Sequence, residues 1–241
     1  MAPHLQLHGV NAHYGRAHIL FDVDLEVRRG EVMALLGRNG AGKSTTIKTI
    51  IGMVRATSGQ IEFGAERIER EPIYRISRRG LGYVPEERRI FSELTVLENL
   101  AVARRPARAT SLAMGARPWT TERLFAVFPN LAEARNRVGG GMSGGEQQML
   151  AIARTLMGNP SCLLLDEPSE GLSPKIVEHL AETIVALRRE QLTILLSEQN
   201  LHFARMVSDR ATIIEKGRIR YTGTMAELAA DEAVQQEYLS V

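Results

Sequence analysis

Residues 37–45 read GRNGAGKST and follow the apolar run VMALL at 32–36. The stretch matches G-x-x-x-x-G-K-[ST] from Gly37 to Ser44, between a strand-like run and a helix-like one, as that pattern requires. Gly40 and Gly42 permit a curled backbone whose N–H groups point inward at phosphate oxygens. A helix opening near Lys43 aims its positive dipole end at the same place. Lys43 neutralises charge on the β- and γ-phosphates, and the Ser44 hydroxyl is a hard oxygen ligand suited to Mg²⁺. A chance glycine turn would not also bring the lysine and the hydroxyl.

The remaining sequence supplies a sheet for this loop to stand on. Short apolar strands alternate with helix-period segments, which favours parallel strands joined by crossover helices. FDVDLEV is expected to set Phe21, Val23, Leu25 and Val27 on one strand face. IGMVRATSGQIEF leads to another strand and LGYVPEE to one more, while CLLLDEP and TILLSEQN read as buried strands. RATIIEKGRIRYTG reads as a hairpin turning at Lys216-Gly217. Thr95 and Glu98 have capping-box spacing at a helix start. Met149, Ile152, Ala153 and Leu156 form one helical stripe. A further helix has Ser173 as cap, Pro174 in its first turn, and Ile176, Leu180, Ile184 and Leu187 in line. Residues 104–120, RRPARATSLAMGARPWT, are the weakest stretch for regular structure, and no internal repeat is present.

CLLLDEP ends in two carboxylates. Asp166 closes the strand where a Mg²⁺-bound water could be held, and Glu167 can orient and deprotonate an attacking water. Adjacent buried carboxylates repel each other, so the pair calls for a cation. Cys162 is the only cysteine and reads as a small core residue; no intrachain disulfide is possible, which fits a reducing compartment. The 241 residues, 44% hydrophobic and 24% charged, suffice for one large α/β domain but not for two. A net charge of +2 gives no argument for nucleic acid. No apolar run approaches the roughly 18–20 residues needed to span a bilayer. MAPHLQLHGV lacks the features of a signal peptide, so a cytosolic chain is expected, reaching a membrane only through a partner.

A second glycine-rich stretch, GGGMSGGEQQ, spans 139–148. It also fits G-x-G-x-x-G, weakly, because no apolar strand precedes it. The stronger reading starts at Ser143, which caps a helix while Glu146 completes S-x-x-E. Gly144 and Gly145 are then expected to leave the first amides uncovered, making a second anion-receiving helix start.

In this order and spacing, GRNGAGKST, MSGGEQQ, LLLDEP and LLSEQN resemble the nucleotide-binding subunit of an ATP-binding-cassette transporter, over nearly the whole chain. The resemblance implies an α/β P-loop NTPase of ABC-cassette type. Its mixed sheet core would carry an antiparallel β subdomain and a helical signature subdomain near 92–158, within a single ATPase domain over 1–241. It implies that Gly37, Arg38, Asn39, Gly40, Ala41, Gly42, Lys43, Ser44 and Thr45 bind ATP, and that Tyr14 in AHYG stacks on adenine. A lone tyrosine at a strand end is otherwise ordinary surface packing. In that family two cassettes pair head to tail, so Ser143, Gly144, Gly145 and Glu146 would contact ATP held by the partner cassette. Ser44, Glu86 and Asp166 would hold Mg²⁺, and Lys43, Glu167 and Gln199 would be catalytic.

Three positions depart from the family pattern. SEGL at 169–172 lacks the aspartate often found in the dimer-contact turn, Glu86 stands where glutamine is usual, and Gln199 where histidine is usual. Glu86 can ligate Mg²⁺, although its charge repels phosphate. Gln199 can donate a hydrogen bond but cannot gain a proton near neutral pH. The last two departures, with VPEERRIFSELTVLENL and MSGGEQQMLAIAR, resemble one branch, the second ATPase subunit of branched-chain amino-acid importers. That branch also includes relatives attached to amide, urea or aromatic-acid uptake systems.

The resemblance further implies two membrane permease subunits, an indirect solute-binding protein, and a peripheral place on the cytoplasmic face of the inner membrane. The turn around Glu86–Phe91 and the adjoining helical region would be the docking surface, and no nucleic acid is expected. Two alternatives stand beside it. A soluble cassette ATPase acting on nucleic acid or the ribosome could use the basic charge of RRPARAT, but neither tandem cassettes nor a coiled-coil insertion is present. A non-hydrolysing ATP-sensing module is raised by Glu86 and Gln199, and opposed by intact Lys43, Asp166 and Glu167.

Overall fold

The computed structural model describes residues 3–109, 115 and 117–239; of the weak stretch 104–120, residues 110–114 and 116 lie outside them. Two sheets organise the chain. The larger has six strands in the order β10-β9-β3-β8-β7-β6. Its members are β3 (Val32–Leu36), β6 (Leu81–Val84), β7 (Cys162–Asp166), β8 (Thr193–Glu198), β9 (Arg210–Glu215) and β10 (Arg218–Thr224). β6, β7, β8, β3 and β9 run parallel, and β10 returns antiparallel through a turn at Lys216 and Gly217, both with left-handed φ.

Every residue of β3, β7 and β8 is buried, as uninterrupted apolar runs covered on both faces require. Alternate side chains enter different cores. Ala34, Leu36, Leu163, Leu165, Ile194 and Leu196 face a core shared with Met149, Ile152, Leu156, Leu180, Ile184 and Leu187 of the crossover helices. Met33, Leu35, Cys162, Leu164 and Leu195 face a second core. That core is closed by the smaller antiparallel sheet β2-β1-β4-β5, with β1 (Pro3–Tyr14), β2 (Ala17–Arg28), β4 (Ala56–Phe63) and β5 (Glu66–Arg67).

The expected face of FDVDLEV needs one correction. Val23, Leu25 and Val27 are buried, but Leu20, not Phe21, continues their row. Asp22 adopts φ +47 and inserts an extra residue, so that Val10 and Ala12 pair with Val23 and Leu20. The bulge turns Phe21 outward, against the His18 ring at 3.8 Å and under the Arg218 guanidinium at 4.8 Å.

The helices follow the sequence closely. Thr95 and Glu98 form the capping box at the start of the helix Val96–Ala103. Met149, Ile152, Ala153 and Leu156 are buried along the helix Gly144–Leu156. The helix Pro174–Arg189 buries Leu180, Ile184 and Leu187, whereas Ile176 is only partly buried. Ser173 holds the N-cap position without a side-chain capping bond.

Candidate nucleotide-binding site

β3 ends directly at the glycine loop, and β7 and β8 end at the same edge. Openings at the carboxyl ends of parallel strands are where such sheets receive ligands. Gly42 adopts φ +115, a conformation side chains rarely take, and from there the helix Lys43–Ile50 begins without any side-chain cap. Gly40, at φ +77, has nothing within 4 Å of where a Cβ would stand. The loop thus offers an uncapped helix start beside an open concavity. Both features fit a phosphate group.

Lys43 is 3% exposed and makes three contacts with its ammonium. It donates to the Gly37 carbonyl at 2.7 Å and the Arg38 carbonyl at 3.1 Å, and lies 2.9 Å from Glu167 Oε1. The adjoining cavity, about 430 Å³, is lined by Tyr14, Ile19, Asn39, Gly40, Gly42, Lys43, Ser44, Thr45, Glu86, Glu167 and Glu170. Tyr14 ends β1 half-exposed over this space. Gly37, Arg38 and Ala41 belong to the loop backbone but do not line the cavity.

Asp166 stands behind the cavity wall rather than in it. Its Oδ1 accepts from Ser197 Oγ at 2.7 Å and its Oδ2 from the Tyr83 hydroxyl at 3.3 Å. Burial, then the Asp166 charge, pushes the Tyr83 hydroxyl well above its ordinary range. Glu167 adopts φ +47, and its amide donates to Ser197 Oγ at 3.1 Å. The cation called for by the carboxylate pair is, in this structure, Lys43. Burial, then the charges of Glu170 and Asp166, raises the Glu86 carboxyl above the usual carboxylate range. Ser44, Glu86 and Glu167 offer hydroxyl and carboxylate oxygens, the donor chemistry of Mg²⁺. Among the described residues no cluster of three His, Cys, Asp or Glu closes a metal cage, so a cation here would retain several waters.

The second glycine stretch lies elsewhere. Ser143 and Glu146 form the capping box, with Ser143 N donating to Glu146 Oε2 at 2.7 Å and Glu146 N to Ser143 Oγ at 3.3 Å. The Ser143 amide bond, foremost, holds the Glu146 carboxyl below its ordinary value. Both residues line a different cavity of about 580 Å³, with Lys175, Ile176 and His179. At Gly144 and Gly145 the absence of a side chain also makes room for neighbours from other segments. A Cβ at Gly144 would lie 2.8 Å from Arg88 Nη1, and one at Gly145 would lie 2.7 Å from Ile176 Cγ2. Both glycines are seats for packed side chains. Gln199 is exposed just past β8 and does not line the cavity.

The sequence reading missed Ser197, Tyr83 and Glu198, all behind the visible motifs. Ser197 is opposite Asp166 in the parallel register, a pairing that only the sheet order reveals. Glu198 is 1% exposed and accepts from the amides of Ser169 at 3.0 Å and Asn200 at 3.2 Å. It therefore ties the turn after Glu167 to the turn bearing Gln199. Burial foremost pushes its carboxyl up to about 7. A charged residue closing the apolar run TILLS was the available signal.

No helix among the described residues is long and apolar enough to cross a membrane. The high-affinity branched-chain amino acid transport ATP-binding protein BraG of Pseudomonas aeruginosa is 43% identical over 230 residues, 95% of this chain and 97% of BraG. The lipopolysaccharide export system ATP-binding protein LptB of Escherichia coli K12 is 36% identical over 228 residues, 95% of this chain and 93% of LptB. A solved ATP-binding subunit of an ABC transporter superposes with a TM-score of 0.77 at 31% identity, covering 95% of this chain and 93% of that one. The ABC transporter family model matches residues 20–170, which include the phosphate loop, the Ser143 helix and both carboxylates. With that match over more than half its length, on the fold described, the chain belongs to the ABC transporter family as an ATP-binding cassette.

Proposed function

We propose that the chain is the ATP-hydrolysing, nucleotide-binding subunit that powers an ABC importer for branched-chain amino acids or related small polar solutes. The observation that carries this is the cavity at the strand ends, which gathers the phosphate loop, Tyr14, Glu86 and Glu167 around one space. The likeness to BraG over nearly the full chain supports the solute class.

ATP enters with its adenine on Tyr14 and its phosphates along Gly37–Thr45. Phosphate oxygens replace the Gly37 and Arg38 carbonyls and Glu167 around the Lys43 ammonium. Glu167, freed from that pair, accepts a proton from the water that attacks the γ-phosphorus, as the bond from that phosphorus to the bridging oxygen breaks and ADP leaves. Ser44 and Glu86 would hold Mg²⁺, and Asp166, behind the cavity wall, a water bound to it; the ion offsets phosphate charge when bound. Gln199 donates its amide hydrogen to a phosphate oxygen.

Ser143, Gly144, Gly145 and Glu146 serve ATP on a second cassette, identical or homologous, in a head-to-tail pair. In support, Ser143 and Glu146 line a separate cavity, and none of the four lines the cavity at the phosphate loop of its own chain. Residues 1–241 act as one ATPase domain, with 92–158 as its helical subdomain. Two permease subunits dock at the turn Glu86–Phe91 beside a groove lined by Met53, Ile73, Tyr83, Ala103 and Arg154. Exposed Met53, Ile73, Phe91 and Val102 give that region an apolar surface. A solute-binding protein acts indirectly from the far side, and the chain sits peripherally on the cytoplasmic face of the inner membrane. It has no nucleic-acid partner.

The test is ATP turnover by the chain purified with its membrane partners and solute receptor. Mg²⁺-dependent hydrolysis stimulated by receptor loaded with leucine, isoleucine or valine is the expected result. Stimulation by lipopolysaccharide, with none by amino acids, would instead assign an export role, the reading the LptB likeness favours.

A further inference from the structure

The turn that follows β6 is built around two consecutive left-handed residues, Arg88 at φ +63 and Arg89 at φ +47. Neither is glycine, so each conformation costs free energy and persists only where the surroundings hold it. Asn99 of the helix Val96–Ala103 holds one side of this turn, exchanging hydrogen bonds with the Phe91 backbone at 2.9 Å, and three further contacts lead to the segment containing Ser143. Gly140 N donates to the Ser92 carbonyl at 2.8 Å, and Gly139 N to the Leu94 carbonyl at 2.9 Å. Arg154, from the helix Gly144–Leu156, donates to the Arg89 carbonyl at 2.7 Å while its guanidinium covers the Phe91 ring at 5.0 Å.

The fourth contact with that segment is Arg88 itself. Measured from a Cβ built at Gly144, Nη1, Cζ and Nη2 of Arg88 lie at 2.8, 3.3 and 3.4 Å. Three atoms of one planar group at such similar distances mean that the guanidinium lies over this glycine, on the first residue of the helix. Among the described residues Arg88 has no carboxylate partner. Its neighbour Arg89, by contrast, pairs with Glu87. The side chain is held by shape against the helix start.

We propose that Arg88 is a positioning residue for the Ser143 helix: seated on Gly144, it carries a displacement of the docking turn to the helix end that meets the partner cassette's nucleotide. This rests on the function proposed above, which places the permeases at the turn and the partner's ATP at Ser143. Gly144 is glycine on this account because any larger residue unseats Arg88. A planar guanidinium fits the seat, and a lysine ammonium does not.

Coupling of this kind is demonstrated by non-additivity. Hydrogen exchange is measured on the nucleotide-free chain for Arg88→Ala, Arg88→Lys, Gly144→Ala and the double variant Arg88→Ala/Gly144→Ala. Exchange at 143–148 should rise at least threefold in each single variant, including Arg88→Lys, with β7 unchanged as the control for folding. The double variant should be no worse than Arg88→Ala alone. In the purified transporter, Arg88→Ala should lower kcat at least threefold while KM for ATP stays within twofold, because ATP is held by the loop at Lys43. Additive effects in the cycle, or unchanged exchange at 143–148 in Arg88→Ala, would overturn the proposal. If Lys43→Ala still turns over ATP, the functional reading fails separately, and the exchange cycle still decides the role of Arg88.

Discussion

The ammonium of Lys43 lies 2.9 Å from Glu167 Oε1, and both side chains are almost fully buried. The cation proposed to receive phosphate and the base proposed to activate water therefore form one buried ion pair. Phosphate binding and release of the base are linked through this pair: oxygens arriving at Lys43 liberate Glu167.

Substitutions at the two partners should have different consequences. Lys43→Ala leaves Glu167 buried without its cation, a change that costs about 3 kcal/mol for buried pairs. For a chain of this size, that corresponds to a fall in Tm of roughly 6–12 °C, readable by calorimetry of the nucleotide-free protein. Turnover should disappear as well. Glu167→Gln keeps the shape of the site, so it should still bind ATP while kcat drops by about 10²–10⁴. It should also accumulate an ATP-bound cassette pair on size-exclusion chromatography. Turnover at the parental rate in Glu167→Gln would remove this residue as the base.

Tyr14 is half-exposed at the cavity mouth, as a stacking platform has to be before its ligand arrives. Tyr14→Ala should weaken ATP binding by about fivefold, the loss of roughly 1 kcal/mol of aromatic contact. Tyr14→Trp should bind at least as well as the parent. Equal affinities of Tyr14→Ala and parent for ATP, by calorimetric titration, would return Tyr14 to plain surface packing.

Gln199 stands exposed just beyond β8, and its amide does not titrate near neutral pH. The parental pH–rate profile should therefore lack a step owed to this position. Gln199→His should add one near pH ~6.5, the ordinary range of an imidazole. Superimposable profiles for the two proteins would show that position 199 takes no part in the proton-sensitive step.

Glu198 gives a pH dependence of stability with a definite sign. Burial raises its folded carboxyl to about 7 from the ordinary 4.5, so between those values the folded chain holds a proton that the unfolded chain has released. Stability owed to this group is present at low pH and declines as pH rises through that window. In metal-free, nucleotide-free buffer, the Tm of Glu198→Gln minus that of the parent should therefore increase from pH 5 to pH 8. A difference that stays flat across the range would contradict the buried setting of Glu198.

The phosphate loop, Asp166, Glu167 and the Ser143 capping box were legible because each is set by residues adjacent in the chain and by local backbone geometry. The strands β3, β7 and β8 were legible because burial on both faces leaves an unbroken apolar run. Phe21 was misplaced because a single left-handed residue, Asp22, shifts the alternation by one, and nothing in FDVDLEV marks which residue will take that conformation. Ser197, Tyr83 and Glu198 escaped because their roles come from neighbouring strands that are distant in sequence. The seats of Gly144 and Gly145 escaped for the same reason, since Arg88 and Ile176 reach them from other segments. Contacts between segments, rather than residue types, were the missing information.

The helix beginning at Ser143 is proposed to serve the nucleotide of a neighbouring cassette. The direct measurement uses an ATP analogue with a photoreactive γ-phosphate group in the purified transporter, with Lys43→Ala placed either in this chain or at the corresponding lysine of its partner. Labelling of the 143–148 peptide should survive loss of this chain's own Lys43 and vanish when the partner's lysine is removed. Labelling that instead follows this chain's own Lys43 would contradict the account.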